Sequence, residues 1–172
     1  MLLKELCDLN AVSSREEAVR AYIRNHIQEK VETVTTDKLG NLLAVQGRNK
    51  KGPKIMLTAH MDEVGLMVVG IDNSGLLKIK TMGGIDERVL LSKRVVIGPN
   101  RIPGVIGAKP IHLQERGERE KPVKLPSLFV DIGAKDKTDS EKDVSIGDLA
   151  AFDIKAGEFG DQMFKGKALD DR

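Results

Sequence analysis

Beyond Glu63 the chain breaks into short β-like runs, and that pattern constrains its fold more than any other feature. The runs lie at 64–71, 76–82, 93–98, 103–107, 127–132 and 149–154. Turn-forming stretches separate them, among them Asp72-Asn73-Ser74-Gly75, Gly98-Pro99-Asn100 and Ile132-Gly133-Ala134. No helical pattern interrupts the series, so this block is expected to close into a small barrel or sandwich. Residues 114–124 (QERGEREKPVK) are charged and poor in large apolar groups, and are expected to form a mobile surface loop.

The first third reads differently. Residues 2–10 and 14–30 have helical patterns, and Val19, Tyr22, Ile23, His26 and Ile27 recur on one face of the second. Ser14 and Glu17 have the spacing of a capping box, which accounts for the paired Glu16 and Glu17 without chemistry. From Glu32 the period falls to two, and the runs ETVTTD and LLAVQG flank a Lys38-Leu39-Gly40-Asn41 turn as a hairpin. The basic stretch 48–53 ends in Gly52-Pro53 and reads as a solvated turn. The nearly continuous apolar run Ile55-Met56-Leu57-Thr58-Ala59-His60 has the look of a strand covered on both faces, as inside an α/β sheet.

Composition narrows the function. With 28 basic and 26 acidic residues in 172, a net charge of +2 exerts no pull on nucleic acid or membranes. Aromatics are 3%, too few for base-stacking platforms, and a single cysteine, Cys7, precludes an intrachain disulfide framework and a cysteine-built zinc site. No apolar run reaches membrane-spanning length, and the acids in MLLKELCDLN do not suit a signal peptide. The default is a cytoplasmic globular protein.

Two clusters could carry chemistry. In an extended chain His60 and Asp62 project to the same side, where imidazole beside carboxylate suits a borderline metal such as Zn²⁺ or Co²⁺. On spacing alone the pair also reads as a polar strand end. The terminal Asp170-Asp171 could bridge two metal ions or could simply be a charged end. His26 reads as a packing histidine, His112 as a structural or interface residue and Cys7 as a small buried hydrophobe. Gly83-Gly84-Ile85-Asp86 lacks the spacing of a phosphate-binding loop.

Taken in order, several segments resemble the M42 metallo-aminopeptidases, the glutamyl and deblocking aminopeptidases and TET particles, some labelled endoglucanases. They are Glu16-Glu17-Ala18-Val19-Arg20, Asp37-Lys38-Leu39-Gly40-Asn41-Leu42, Ala59-His60-Met61-Asp62-Glu63-Val64-Gly65, the GVIGAKPIH stretch at 104–112, Asp131-Ile132-Gly133-Ala134 and Gly166-Lys167-Ala168-Leu169-Asp170-Asp171-Arg172. The resemblance implies an α/β fold: a partial catalytic domain at 1–65 and 164–172, with a β-barrel-like dimerisation domain inserted at 66–163. It implies that His60 binds one metal, Asp170 bridges two (Zn or Co), and Asp62 is the acid behind His60 that serves catalysis.

It further implies a cytoplasmic enzyme that trims short peptides from the amino end and self-associates through 66–163, with no nucleic-acid or membrane partner. The family's remaining ligands and its general-base Glu lie downstream of the GKALDDR motif. The chain is therefore expected to be a truncated member, inactive by itself. The alternative is a non-catalytic homologue acting as an oligomerisation module.

Overall fold

The computed structural model describes residues 1–113, 117 and 122–170. They divide into two compact units, Met1–Glu63 with Lys155–Arg172, and Val64–Ile154.

The second unit holds a closed six-stranded barrel. Its strands are β3 (Gly65–Ile71), β4 (Leu77–Met82), β5 (Arg94–Ile97), β6 (Ile102–Ala108), β7 (Leu128–Asp131) and β8 (Leu149–Phe152). The order round the barrel is β3-β4-β7-β6-β5-β8, all neighbours antiparallel. Each of the six runs expected from the sequence thus supplies one staff, and closure leaves no sheet edge.

Side chains two apart face inward: Leu66 and Val68, Leu77 and Ile79, Val95 and Ile97, and Leu128 and Val130. Leu90 and Val144, from the connections, complete this core. Asp72 builds the β3–β4 turn by accepting the amides of Ser74 and Leu76 through Oδ1. Gly75 there takes φ 84°, a value that favours glycine. A short helix, Lys137–Ser140, interrupts the β block where the sequence showed no helical pattern. Asp136 caps it by accepting the Asp139 amide, a local device with no periodicity to reveal it. Most of the expected loop at 114–124 lies outside the described residues.

The first unit contains α1 (Leu2–Asp8), α2 (Glu17–Ile27) and the antiparallel hairpin β1 (Thr33–Thr36) and β2 (Leu42–Val45). A second hairpin joins β9 (Gly157–Phe159) to β10 (Met163–Lys165). These last strands group with the first unit, although the insert expected at 66–163 would have included most of them. Packing explains the grouping: Asp8 accepts the Ala156 amide at 2.8 Å, and a side chain at Gly166 would meet Cys7 Cβ at 3.2 Å. Cys7 is buried, as a small hydrophobe should be. In the first hairpin Asp37 organises the turn by accepting the amides of Leu39 and Asn41.

Two expectations are corrected. The capping box does not form, because Ser14 sits at φ 76° with its own amide donating to Glu16 Oε1, and Glu16 occupies the N-cap. A side-chain cap needs extended backbone at that residue, which this φ denies it. The covered strand is also absent. Residues 55–58 enter no strand pairing among the described residues, and Ile55, Met56 and Leu57 are 84%, 84% and 93% exposed. An apolar run becomes a buried strand only with strands beside it, and the described residues supply none.

The barrel's tightest approach yields a test. A Cβ at the buried Gly104 of β6 would lie 2.6 Å from Val130 Cγ1 and 3.3 Å from the Asp131 carbonyl oxygen. Gly104→Ala should therefore destabilise the barrel by about 1–3 kcal/mol through overpacking, read as an earlier midpoint in urea denaturation. An unchanged midpoint would contradict this packing.

Candidate functional site

The segment 10–13, between α1 and α2, organises the polar end of the first unit. Ala11 pairs with Glu63 in both directions: its carbonyl accepts the Glu63 amide at 2.8 Å, and its amide donates to Glu63 Oε1 at 2.9 Å. Val12 forms a parallel bridge with Glu63, and the Ser13 hydroxyl donates to Asp62 Oδ2. Residues 62 and 63 are thus fixed from the α1–α2 connection.

Asp62 has each oxygen directed at a different group. While Oδ2 takes the Ser13 hydroxyl, Oδ1 lies 3.0 Å from His60 Nδ1. The Ser13 hydrogen bond, and after it the charge of His60, hold the Asp62 carboxyl below its ordinary range, outweighing partial burial. Asp62 is accordingly ionised at neutral pH and accepts from His60 Nδ1–H. In the neutral imidazole this contact leaves the lone pair on Nε2, the arrangement common behind metal-ligating histidines. The His60 side chain is half exposed.

Behind this pair lies a buried ion pair. Lys167 Nζ sits 2.8 Å from Glu63 Oε1 and 2.5 Å from Asn10 Oδ1, and both charged side chains are almost wholly buried. Three residues on, Asp170 is exposed, and between them Ala168 takes a left-handed φ of 54°. Asp171 and Arg172 lie outside the described residues. Among the described residues no three His, Cys, Asp or Glu side chains gather as a metal-holding group.

His60 and Asp62 therefore meet as their spacing suggested, while Glu63 and Lys167 were not singled out by sequence reasoning. They lie 104 residues apart, with no periodicity linking them, and only their places in the Ala59–Gly65 and Gly166–Arg172 segments marked them. His26 is exposed rather than packed in a core; its ring lies tilted at 32° to that of Tyr22 with centroids 4.2 Å apart, and Nδ1 lies against the Tyr22 carbonyl. His112 is exposed in a short 3-10 turn, Ile111–Leu113.

Residues 40–172 match the M42 glutamyl aminopeptidase family. The FrvX protein of Escherichia coli is 38% identical over 99% of this chain and 49% of its own length. Among solved structures, an aminopeptidase from the archaeon Desulfurococcus kamchatkensis superposes with a TM-score of 0.90 at 37% identity, covering 99% of this chain and 47% of that one. The Pyrococcus horikoshii TET1 peptidase, which can assemble into a tetrahedron or a large octahedral shell, gives 0.87 at 31% identity, covering 99% and 51%. The chain belongs to the M42 aminopeptidase family. It spans about half the length of the relatives it matches.

The pH behaviour of Asp62 follows in sign. Its folded-state value lies below the unfolded value of about 3.9, so its bonds to Ser13 and His60 add stability above that pH. That contribution fades as pH falls through the lowered folded value. Carboxyl-carbon NMR should place the Asp62 midpoint below the ordinary aspartate range, and Ser13→Ala should raise it. An unshifted midpoint in the wild type would contradict the geometry.

Proposed function

We propose that this chain carries the His60, Asp62 and Asp170 portion of a metal-dependent aminopeptidase that removes N-terminal residues from short peptides. The observation that carries the reading is the His60–Asp62 pair, an imidazole backed by an ionised carboxylate, in a chain of the M42 family. The donor chemistry suits a borderline divalent ion, one imidazole nitrogen from His60 and carboxylate oxygen from Asp170. Asp170 would bridge two ions, and Zn²⁺ or Co²⁺ bound there would supply carbonyl polarisation and an activated water.

The chain's own residues have narrower tasks. Asp62 holds the Nδ1 proton of His60 and turns Nε2 outward as the donor atom. Ser13 donates to Asp62 Oδ2 and keeps that carboxylate in place beside the imidazole. Two donors fall short of the three protein ligands of a catalytic zinc site, and we therefore read the chain as inactive by itself. On this reading residues 1–65 and 164–172 are part of an α/β catalytic domain, and 66–163 its inserted dimerisation domain. No described helix is long and apolar enough to cross a membrane.

A second reading makes the chain a non-catalytic oligomerisation module. It is favoured by the contrast between a closed barrel with its own core and an apolar run at 55–58 left in the open. The assemblies formed by TET1 of Pyrococcus horikoshii support self-association, which on either reading would run through residues 66–163.

Three measurements test these readings. Adding Co²⁺ should shift the His60 imidazole NMR signals, and His60→Ala should leave no such response; a wild type that ignores excess Co²⁺ would sink the metal assignment. The purified chain should not hydrolyse aminoacyl-p-nitroanilides with Co²⁺ or Zn²⁺ and should sediment as an oligomer. Chelator-sensitive turnover would overturn its inactivity, and a strictly monomeric profile at high concentration would remove the self-association.

A further inference from the structure

We propose that the buried Glu63–Lys167 ion pair is a positioning device that sets the segment bearing Asp170 against the segment bearing His60 and Asp62. The proposal rests on the metal-site reading above for its purpose, but the device itself is defined by geometry. Lys167 Nζ reaches Glu63 Oε1 at 2.8 Å and Asn10 Oδ1 at 2.5 Å, with both charged side chains almost fully withdrawn from water.

Placement inside the fold argues against a mere stabilising role. Two charges taken out of water recover little or nothing over apolar groups of similar volume, so a buried pair is poor evidence of stability. What it supplies is a directional constraint, because an ammonium stripped of water must find its acceptors. Here those acceptors are Glu63, next in sequence to Asp62, and Asn10, next to the residue that pairs with Glu63 in both directions.

The chain on the far side of Lys167 shows the matching feature. Ala168, immediately after it, is held at φ 54°, in a region that non-glycine residues enter at a cost. A strained turn persists only where its flanks are fixed, and the buried ammonium fixes one flank. The turn then redirects the backbone towards Leu169 and Asp170, which are exposed. A buried contact thus joins the HMDE and GKALDD segments, which lie far apart in sequence.

The discriminating variant is Glu63→Leu with Lys167→Met, which replaces the pair by apolar groups of similar size. Denaturation should show a folded protein with a lowered midpoint, because Glu63→Leu also removes the acceptor of the buried Ala11 amide. Amide hydrogen exchange at residues 62–63 and 168–170 should speed up by at least tenfold, with the barrel amides unchanged. Co²⁺ affinity, followed by the His60 signals, should fall by about 10–100-fold, as when supporting residues of a metal site are removed.

Unchanged exchange at 168–170 in the folded double variant would overturn the proposal. If the wild type shows no Co²⁺ response, the metal reading fails while the exchange data still decide the positioning role. Should the double variant not fold, Asn10→Ala removes the Asn10 acceptor of Lys167 and leaves Glu63 in place. It should raise exchange at 168–170 without unfolding the chain, and no change there would count as refutation.

Discussion

The first unit depends on the reciprocal pairing of Ala11 with Glu63. Its buried apolar residues are few and small, Cys7, Ala11, Val12, Val19 and Ala156, whereas the continuous core cluster lies wholly in the barrel. Sparse apolar burial leaves polar contacts to decide where the chain goes. Through Ala11 and its neighbours Asn10 and Ser13, one short connection fixes Lys167, Glu63 and Asp62. His60 inherits its orientation from Asp62. The site is therefore organised from the α1–α2 connection, a stretch that itself offers no catalytic group.

The two units illustrate different ways of making structure. In the barrel, inward side chains two apart are a local pattern, and closure pairs every staff with two neighbours. In the first unit the decisive contacts join residues tens of positions apart and consist of single hydrogen bonds.

That difference explains what could be read in advance. Leu66 and Val68, or Leu77 and Ile79, announce an inward face, and all six runs fold as strands. The order β3-β4-β7-β6-β5-β8 could not be read, because partner choice between distant strands leaves no local trace. Residues 55–57 carry a true signal for burial, but burial requires partners that no pattern inside the run can supply. Ser14 had the correct residue type for a cap and the wrong backbone, since φ is set by the surrounding chain. At the site, proximity in sequence brought His60 to Asp62, while the Glu63–Lys167 pair depended wholly on tertiary structure.

Exposure of residues 55–58 has a consequence for handling the molecule. An exposed apolar run that enters no strand pairing among the described residues is a template for strand addition by a similar segment, including the same segment of another molecule. Pro53 and Lys54 stand at its N-terminal side, a residue that cannot donate to a ladder and one whose charge repels its own kind. Lys54 is further tethered by donating to the carbonyls of Arg48 and Lys50 at 2.9 and 3.2 Å, which keeps its charge near the basic turn. The run is thus guarded at one end, while Ile55, Met56 and Leu57 present their apolar side chains to solvent.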